Sequence, residues 1–353
     1  MIKTFEDASR NIRRFAEEQF SQVKDFEFEI QPGVITGQKT IPLHRAGVYV
    51  PAGNFPLPST VLMCAIPAKV AGVDEVILFS PPRTNSSIHP AILVAADIAG
   101  IDEMYKVGGI QAIAAMAYGT ESIKPVDKIV GPGNKYVTAA KKLVYGAVGI
   151  DFIAGPTEIM IIADDSANPE YIAADLLAQA EHDVNASPIL VTDSKILAEK
   201  VLEHVQSQLE NLSTAAIAEE SVKNNGIIIL VDNLNQSIDI ANKKAPEHLE
   251  IQVRNENIWI PKLRNYGSLF IGEYSVEAMG DYNCGLNHTL PTNRCARYTG
   301  GLSVKDFFKI QTTLRVDKEG INSIGAGAKH MGEIEGLAGH ANSVDIRIKD
   351  LNG

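Results

Sequence analysis

Cysteine is scarce in this chain. There are three in 353 residues, Cys64, Cys284 and Cys295, and none forms a C-x-x-C pair. An odd, widely spaced set argues against a disulfide framework and fits a reducing compartment. No apolar run approaches the roughly 20 residues that a membrane-spanning helix needs. The start, Met1 to Asp7, also lacks the apolar centre of a signal peptide. Positive charge is in deficit, with 32 Lys and Arg against 43 Asp and Glu and a net charge of -11. That balance argues against a surface that tracks nucleic-acid phosphates. Neither G-x-G-x-x-G nor a P-loop is present. The expectation is a cytoplasmic protein with no nucleic-acid or membrane partner.

What is present is material for sizeable cores: 45% of residues are hydrophobic and only 21% charged. The length favours two domains or one large α/β body. Residues 1–20 read as a helix and 27–50 as extended segments. The stretch 51–58, with its three prolines, cannot be a helix, and Ser59 reads as the N-cap of a helix over Thr60–Ala71. Short apolar strands then alternate with helices: Val76–Phe79, Pro90–Ala99, Tyr105–Val107, Ile110–Tyr118, Lys128–Val130, Lys135–Tyr145. A second series follows. Ile159–Ile162 suits a central parallel strand, and Asn168-Pro169 caps and opens a helix. Further strands read over Pro188–Val191, Ile227–Val231 and Leu269–Ile271, with a helix over Lys195–Leu209. Such repeated units predict an α/β protein with two Rossmann-like domains and parallel-rich sheets. From about residue 303 strands give way to short helical stretches punctuated by glycine, a C-terminal helical tail. The expected division is 1–48 (a helix and extended segments joining the second α/β domain), 49–156, 157–302 and 303–353.

Four places carry groups capable of chemistry. Gln179 and His182, three apart near the end of a helix, offer an oxygen and a nitrogen to a borderline metal such as zinc. Taken alone, the pair also reads as a solvated helix face. Glu247 and His248 form an adjacent acid/base pair, although Pro246-Glu247 also suits a plain helix start. The Gly280–Thr292 loop is rich in Gly and Asn and follows a predicted strand, where open α/β sheets bind ligands at carboxyl ends. It contributes Asp281 and His288. His340 stands alone in the tail. Gly131-Pro132-Gly133-Asn134 follows a strand and opens a helix, a geometry that favours an anion and equally a simple tight turn.

In order along the chain, Gly47–Pro51, Pro58–Met63, Gly108–Ala114, Gly131–Asn134, Ala154–Glu158, Ala180–His182, Pro246–Leu249, Gly280–Tyr282, Asn287–Thr292 and His340 resemble the histidinol dehydrogenase family. The set covers most of the chain. The resemblance implies one zinc ion per subunit, held by Gln179, His182, Asp281 and His340, with the tail histidine donated across an intertwined homodimer. It implies acid/base roles for Glu247 and His248, and NAD contacts from Tyr49, Gln111 and Asn134. Implied substrate contacts are Ser59, Thr157, Gln179, His182, His248, Asp281, His288, Glu335 and His340.

The implied activity is oxidation of L-histidinol through L-histidinaldehyde to L-histidine with two NAD, the end of histidine biosynthesis. The alternatives are an NAD-dependent relative acting on another small polar alcohol, and a non-catalytic zinc-binding relative. Three features depart from the family. Its members usually carry a longer N-terminal region. Thr157 stands where most have Ser, adding a methyl group that is expected to tighten the substrate pocket. The loop Ala52–Pro56 differs from the family's Gly-Gly version.

Overall fold

The computed structural model describes residues 1–52, 55–83 and 86–352. Gly53 and Asn54, in the loop that departs from the family pattern, lie outside the described residues. Among the described residues there are thirteen strands, most of them separated by helices. The first seven are β1 (Phe26–Gln31), β2 (Val34–Pro42), β3 (Arg45–Tyr49), β4 (Glu75–Phe79), β5 (Glu103–Tyr105), β6 (Lys128–Val130) and β7 (Gly149–Ile150). Then come β8 (Glu158–Ala163), β9 (Ser187–Thr192), β10 (Ile227–Leu230), β11 (His248–Gln252), β12 (Ser268–Ile271) and β13 (Phe308–Val316).

The chain divides into two compact units. The larger comprises Met1–Phe20 and Leu43–Phe307. It contains two five-stranded sheets, ordered β5-β4-β3-β6-β7 and β10-β9-β8-β11-β12. Every pairing in both is parallel, as the βα alternation predicts. Central strands are buried along their whole length: all six residues of β8 and all five of β11. This is why β8 reads as a continuous apolar run over Ile159–Ile162, whereas β11 alternates Leu249 and Ile251 with buried polar residues. Ile77, Phe79, Ile113, Met116 and Ile129 fill one side of the first sheet. In the second, Ile159 and Ile161 pack beneath Ile172, Leu176 and Leu190, while Met160 and Ile162 pack with Leu249 and Ile251 on the other face.

Local signals set most boundaries. Asn168 accepts a hydrogen bond from the Glu170 N–H and starts the helix Pro169–Ala180; Asn134 does the same for Lys135–Val144, accepting from Tyr136 and Val137. The Ser59 reading is corrected. The helix begins at Pro58, with Leu57 in the cap position. Pro58 fits the first turn because it has no N–H to satisfy there, which leaves the Ser59 hydroxyl free of capping duty.

The smaller unit comprises Ser21–Pro42 and Phe308–Gly353. Here the extended segments expected to join the second α/β domain pair elsewhere. β1 and β2 form an antiparallel hairpin, and β2 pairs with β13 over nine residues from Phe308↔Pro42 to Val316↔Val34. The tail is therefore not wholly helical. Its strand precedes the helices Lys318–Ile334 and Ala338–Asn352. Among the described residues, no helix is long and apolar enough to cross a membrane.

Candidate active site

In the larger unit, β8 and β11 lie side by side, with His248 opposite Ile159. This register brings Thr157 and Glu158 next to Glu247 at the amino ends of the two strands. Glu247 Oε2 accepts hydrogen bonds from Thr157 Oγ1 at 2.5 Å and from the Glu158 N–H at 3.0 Å. Thr157 Oγ1 in turn accepts from Gln179 Nε2 at 2.7 Å. The chain Gln179–Thr157–Glu247 thus links the metal-type amide to the acid. Despite these two donors, burial pushes the Glu247 carboxyl up to about 8.

His248 opens β11 and is not part of a helix start. Its Nδ1 lies 3.3 Å from the Glu158 carbonyl oxygen, so Nδ1–H donates there and Nε2 carries the lone pair. Nε2 is buried with no hydrogen-bond partner. It lies 3.6 Å from Glu277 Oε1 and 3.8 Å from Asp281 Oδ1. Burial pulls its pKa down to about 3, leaving the ring neutral. His288 is held by its Nδ1 on the Asp281 carbonyl oxygen at 3.1 Å and its Nε2 near Thr60 Oγ1 at 3.2 Å. Burial lowers its pKa to about 4.

Asp281 sits on a short helix, Glu277–Tyr282, rather than in a loop. Gly280 lets that helix lie flat on the sheet: a Cβ there would fall 2.6 Å from the Phe270 ring. Ligand atoms of His182, Glu277 and Asp281 lie within 4.8 Å of one another. Gln179 Oε1 and Glu277 Oε1 are buried without partners. Burial raises Asp281 to about 7 and Glu277 to about 9, with each carboxyl sensing other acids nearby, and it lowers the His182 pKa. Orphaned oxygens beside an imidazole, in a group whose charges repel, form a donor set that a divalent cation would satisfy. Glu277 was missed from the sequence. The signal was its spacing, one helical turn before Asp281.

Ser59, Thr157, Gln179, His182, Glu247, His248, Asp281 and His288 all line one cavity, together with Gly131, Pro132 and Gly133. Tyr49 ends β3, and Gln111 and Asn134 follow the carboxyl ends of β5 and β6; the Tyr49 hydroxyl accepts the Gly109 N–H at 3.0 Å. Gly131, at φ +111, brings the chain so close to Tyr49 that a Cβ would meet its carbonyl oxygen at 2.2 Å. The cavity thus joins the carboxyl edge of the first sheet to the amino edge of the second, so the carboxyl-end expectation holds for only one of them. Glu335 and His340 belong to the smaller unit. Glu335 caps the helix Lys318–Ile334 and His340 lies in the first turn of Ala338–Asn352; both are exposed.

Known proteins match this chain over nearly its whole length. The profile of the family described as "Histidinol dehydrogenase" matches residues 1–348. The histidinol dehydrogenase of Methanothermobacter thermautotrophicus is 48% identical over 98% of this chain and 80% of its own length. That of Caldanaerobacter subterraneus is 50% identical, with coverage of 98% and 80%. The crystal structure of histidinol dehydrogenase from Elizabethkingia anophelis superposes with a TM-score of 0.96 at 42% identity, covering 100% of this chain and 81% of that one. An indole-3-acetaldehyde dehydrogenase in apo form, at 14% identity and a TM-score of 0.54 over 88% of this chain and 72% of its own, shares the fold alone. The chain belongs to the histidinol dehydrogenase family, oxidoreductases that act on a CH–OH group.

Proposed function

We propose that this protein oxidises L-histidinol to L-histidine in two successive steps, as the end of a biosynthetic route in the cytoplasm. The observation that carries the reading is the buried, unpartnered Nε2 of His248, facing Glu277 and Asp281 in a cavity that also holds Glu247. A neutral imidazole with its other nitrogen fixed on a carbonyl is a base ready for use.

The residues that would hold zinc are Gln179, His182 and Asp281, with His340 from a second copy of the chain as the fourth. Glu277 stands close enough to share or replace a ligand. When bound, the ion would anchor and orient the substrate's amino and imidazole nitrogens. NAD, contacting Tyr49, Gln111 and Asn134, would accept a hydride in each step. His248 Nε2 would take the hydroxyl proton as the first hydride leaves the carbinol carbon, giving the aldehyde. Glu247 would then remove a proton from water as its oxygen adds to the aldehyde carbon, while His248 Nε2 returns its proton to the aldehyde oxygen, giving a gem-diol and a neutral imidazole. His248 would again take a hydroxyl proton as the second hydride leaves. One alcohol, one water and two NAD give one carboxylic acid, two NADH and two protons. Ser59, Thr157, His288 and Glu335 are the remaining proposed substrate contacts. A closed cavity suits a bound aldehyde, because a free amino-aldehyde is reactive.

The test is the yield of NADH per L-histidinol consumed, and a ratio of two is expected. A ratio of one would reduce the activity to simple alcohol oxidation. No turnover of histidinol, with NADH formed from another amino-alcohol, would replace the substrate.

A further inference from the structure

Behind the candidate active site lies a second set of buried polar side chains that do not line the cavity. Alternate residues of β11 point to one face of the sheet. Leu249 and Ile251 therefore enter the apolar core on one side, while His248, Glu250 and Gln252 share the other. Glu250 is 1% exposed, Gln252 4% and Asp175 6%. Asp175 lies on the helix Pro169–Ala180, one turn before Gln179.

These groups bond to one another. Gln252 Nε2 donates to Glu250 Oε2 at 3.1 Å and lies 3.4 Å from Asp175 Oδ2. Burial together with the neighbouring carboxyl raises the pKa of Glu250, and burial raises that of Asp175. The remaining oxygen, Glu250 Oε1, accepts the backbone N–H of Glu277 at 3.1 Å. Glu277 is the first residue of the Glu277–Tyr282 helix, and the cap position before it, Val276, supplies no side-chain acceptor. A first-turn N–H in a buried place needs such a partner from elsewhere.

Three elements that each carry site residues are thereby joined at one point: the helix with Gln179, the strand with His248 and the helix with Glu277 and Asp281. Apolar side chains would pack this face without the desolvation that buried carboxyls suffer, so packing alone does not account for the arrangement.

We propose that Glu250, steadied by Gln252 and Asp175, is a positioning residue. It fixes the Glu277–Tyr282 helix by its first N–H, and so holds Glu277 and Asp281 at the depth where they face Gln179 and His182 around a cation. The inference rests on the metal reading above, and its test separates the two.

The test uses the full-length protein stripped of metal, as wild type, Glu250→Met and Glu250→Gln. Met has nearly the volume of Glu but no acceptor, whereas Gln keeps an oxygen for the Glu277 N–H. Zinc affinity is measured by competition with a chromogenic chelator. Deuterium exchange over residues 276–282 is followed in the metal-free protein, alongside the unfolding midpoint. Loss of a partner that orients a metal ligand typically weakens binding about 10- to 100-fold. Glu250→Met is expected to show that loss, with faster exchange in this segment. Glu250→Gln is expected to stay near wild type. Met and wild-type proteins with zinc affinity within twofold and equal exchange would overturn the proposal. So would equal losses in Met and Gln variants. A wild-type protein that binds no zinc would overturn the metal reading instead, leaving the exchange comparison to judge Glu250. Should Glu250→Met not fold, Gln252→Met loosens Glu250 without removing it. Several-fold weaker zinc binding and faster exchange are then expected, and no change in either rejects the proposal.

Discussion

His248 Nε2 and Asp281 Oδ1 lie 3.8 Å apart with no hydrogen bond between them. The gap sets a lone pair beside a metal-type carboxylate while leaving both available to a third party. If Nε2 is the base for both hydride steps, His248→Asn should lower turnover of histidinol and of histidinaldehyde alike, by about 10²- to 10⁴-fold. Single-turnover kinetics with each substrate check this. A variant impaired only with the alcohol would remove His248 from the second step.

Glu247 is assigned only to hydration of the aldehyde. Glu247→Gln should therefore spare the first oxidation and suppress the second by about 10²- to 10⁴-fold, so the NADH yield per histidinol falls from two towards one. Because burial pushes the carboxyl up to about 8, the wild-type rate with the aldehyde should climb as pH rises through that value in the free enzyme. The rate for Glu247→Gln should lack that limb. Equal damage to both oxidations would sink the division of labour.

The same raised pKa makes a stability prediction. Glu247 holds its proton to about 8 in the folded chain against an ordinary value of 4.5. Its favourable contribution is complete below 4.5 and is lost as pH climbs to about 8. Glu277 and Asp281, raised in the same sense, add to the slope. The lowered histidines of the cluster, His182, His248 and His288, act in the opposite sense below about 6.5. The carboxyl loss therefore shows most clearly above that pH in metal-free wild-type protein, and Glu247→Gln should lose distinctly less. Urea unfolding at about pH 6.5 and 8.5 measures both, and identical pH slopes would contradict the assignment.

Much of this was legible from the chain, for physical reasons that differ by element. Ile159–Ile162 is buried on both faces, so a continuous apolar run identifies it. Asn168-Pro169 and Pro90 mark helix starts because caps and N-terminal prolines act locally. The failures have the opposite character. The helix around Asp281 is six residues long, and it is stabilised by Glu250 and by contact with Phe270, groups far away in sequence. His248 enters a strand because β8 and β12 flank it, although Pro246-Glu247 locally suits a helix. β13 does alternate, with Phe308, Ile310, Leu314 and Val316 set between Lys309, Gln311 and Arg315, so this strand was legible, and only the glycine punctuation after it favours a helical reading of the whole tail. Site residues near helix ends could be nominated singly. Their grouping required the register of β8 with β11.

Thr157 bridges Gln179 and Glu247 through one hydroxyl. Thr157→Ser keeps that hydroxyl and removes one methyl group, so it should retain activity and relax the substrate KM if the methyl group narrows the pocket. Thr157→Val keeps the shape but leaves the buried Gln179 amide and Glu247 each short of a partner, a cost of about 1–3 kcal/mol in stability. Thermal unfolding and zinc affinity of the two variants decide the matter. A Val variant as stable and as tight for zinc as wild type would show that the bridge is dispensable.

His340 offers the sharpest test of assembly. It lies on an exposed first helical turn in the smaller unit, and the proposed zinc site needs a fourth ligand beyond Gln179, His182 and Asp281. If a second copy of the chain supplies it, a dimer joining His340→Ala with Glu247→Ala contains one site with both defects and one with neither. Each variant alone should be inactive in the full reaction. Mixed and exchanged subunits should recover about a quarter of wild-type activity, because half of the dimers are hybrids and half of their sites intact. Mass spectrometry of differently tagged chains verifies the exchange. Hybrids that form without recovered activity would mean that each site draws all its ligands, His340 included, from one chain, whereas a His340→Ala variant that stays active by itself would hand the fourth position to Glu277, already within the cluster.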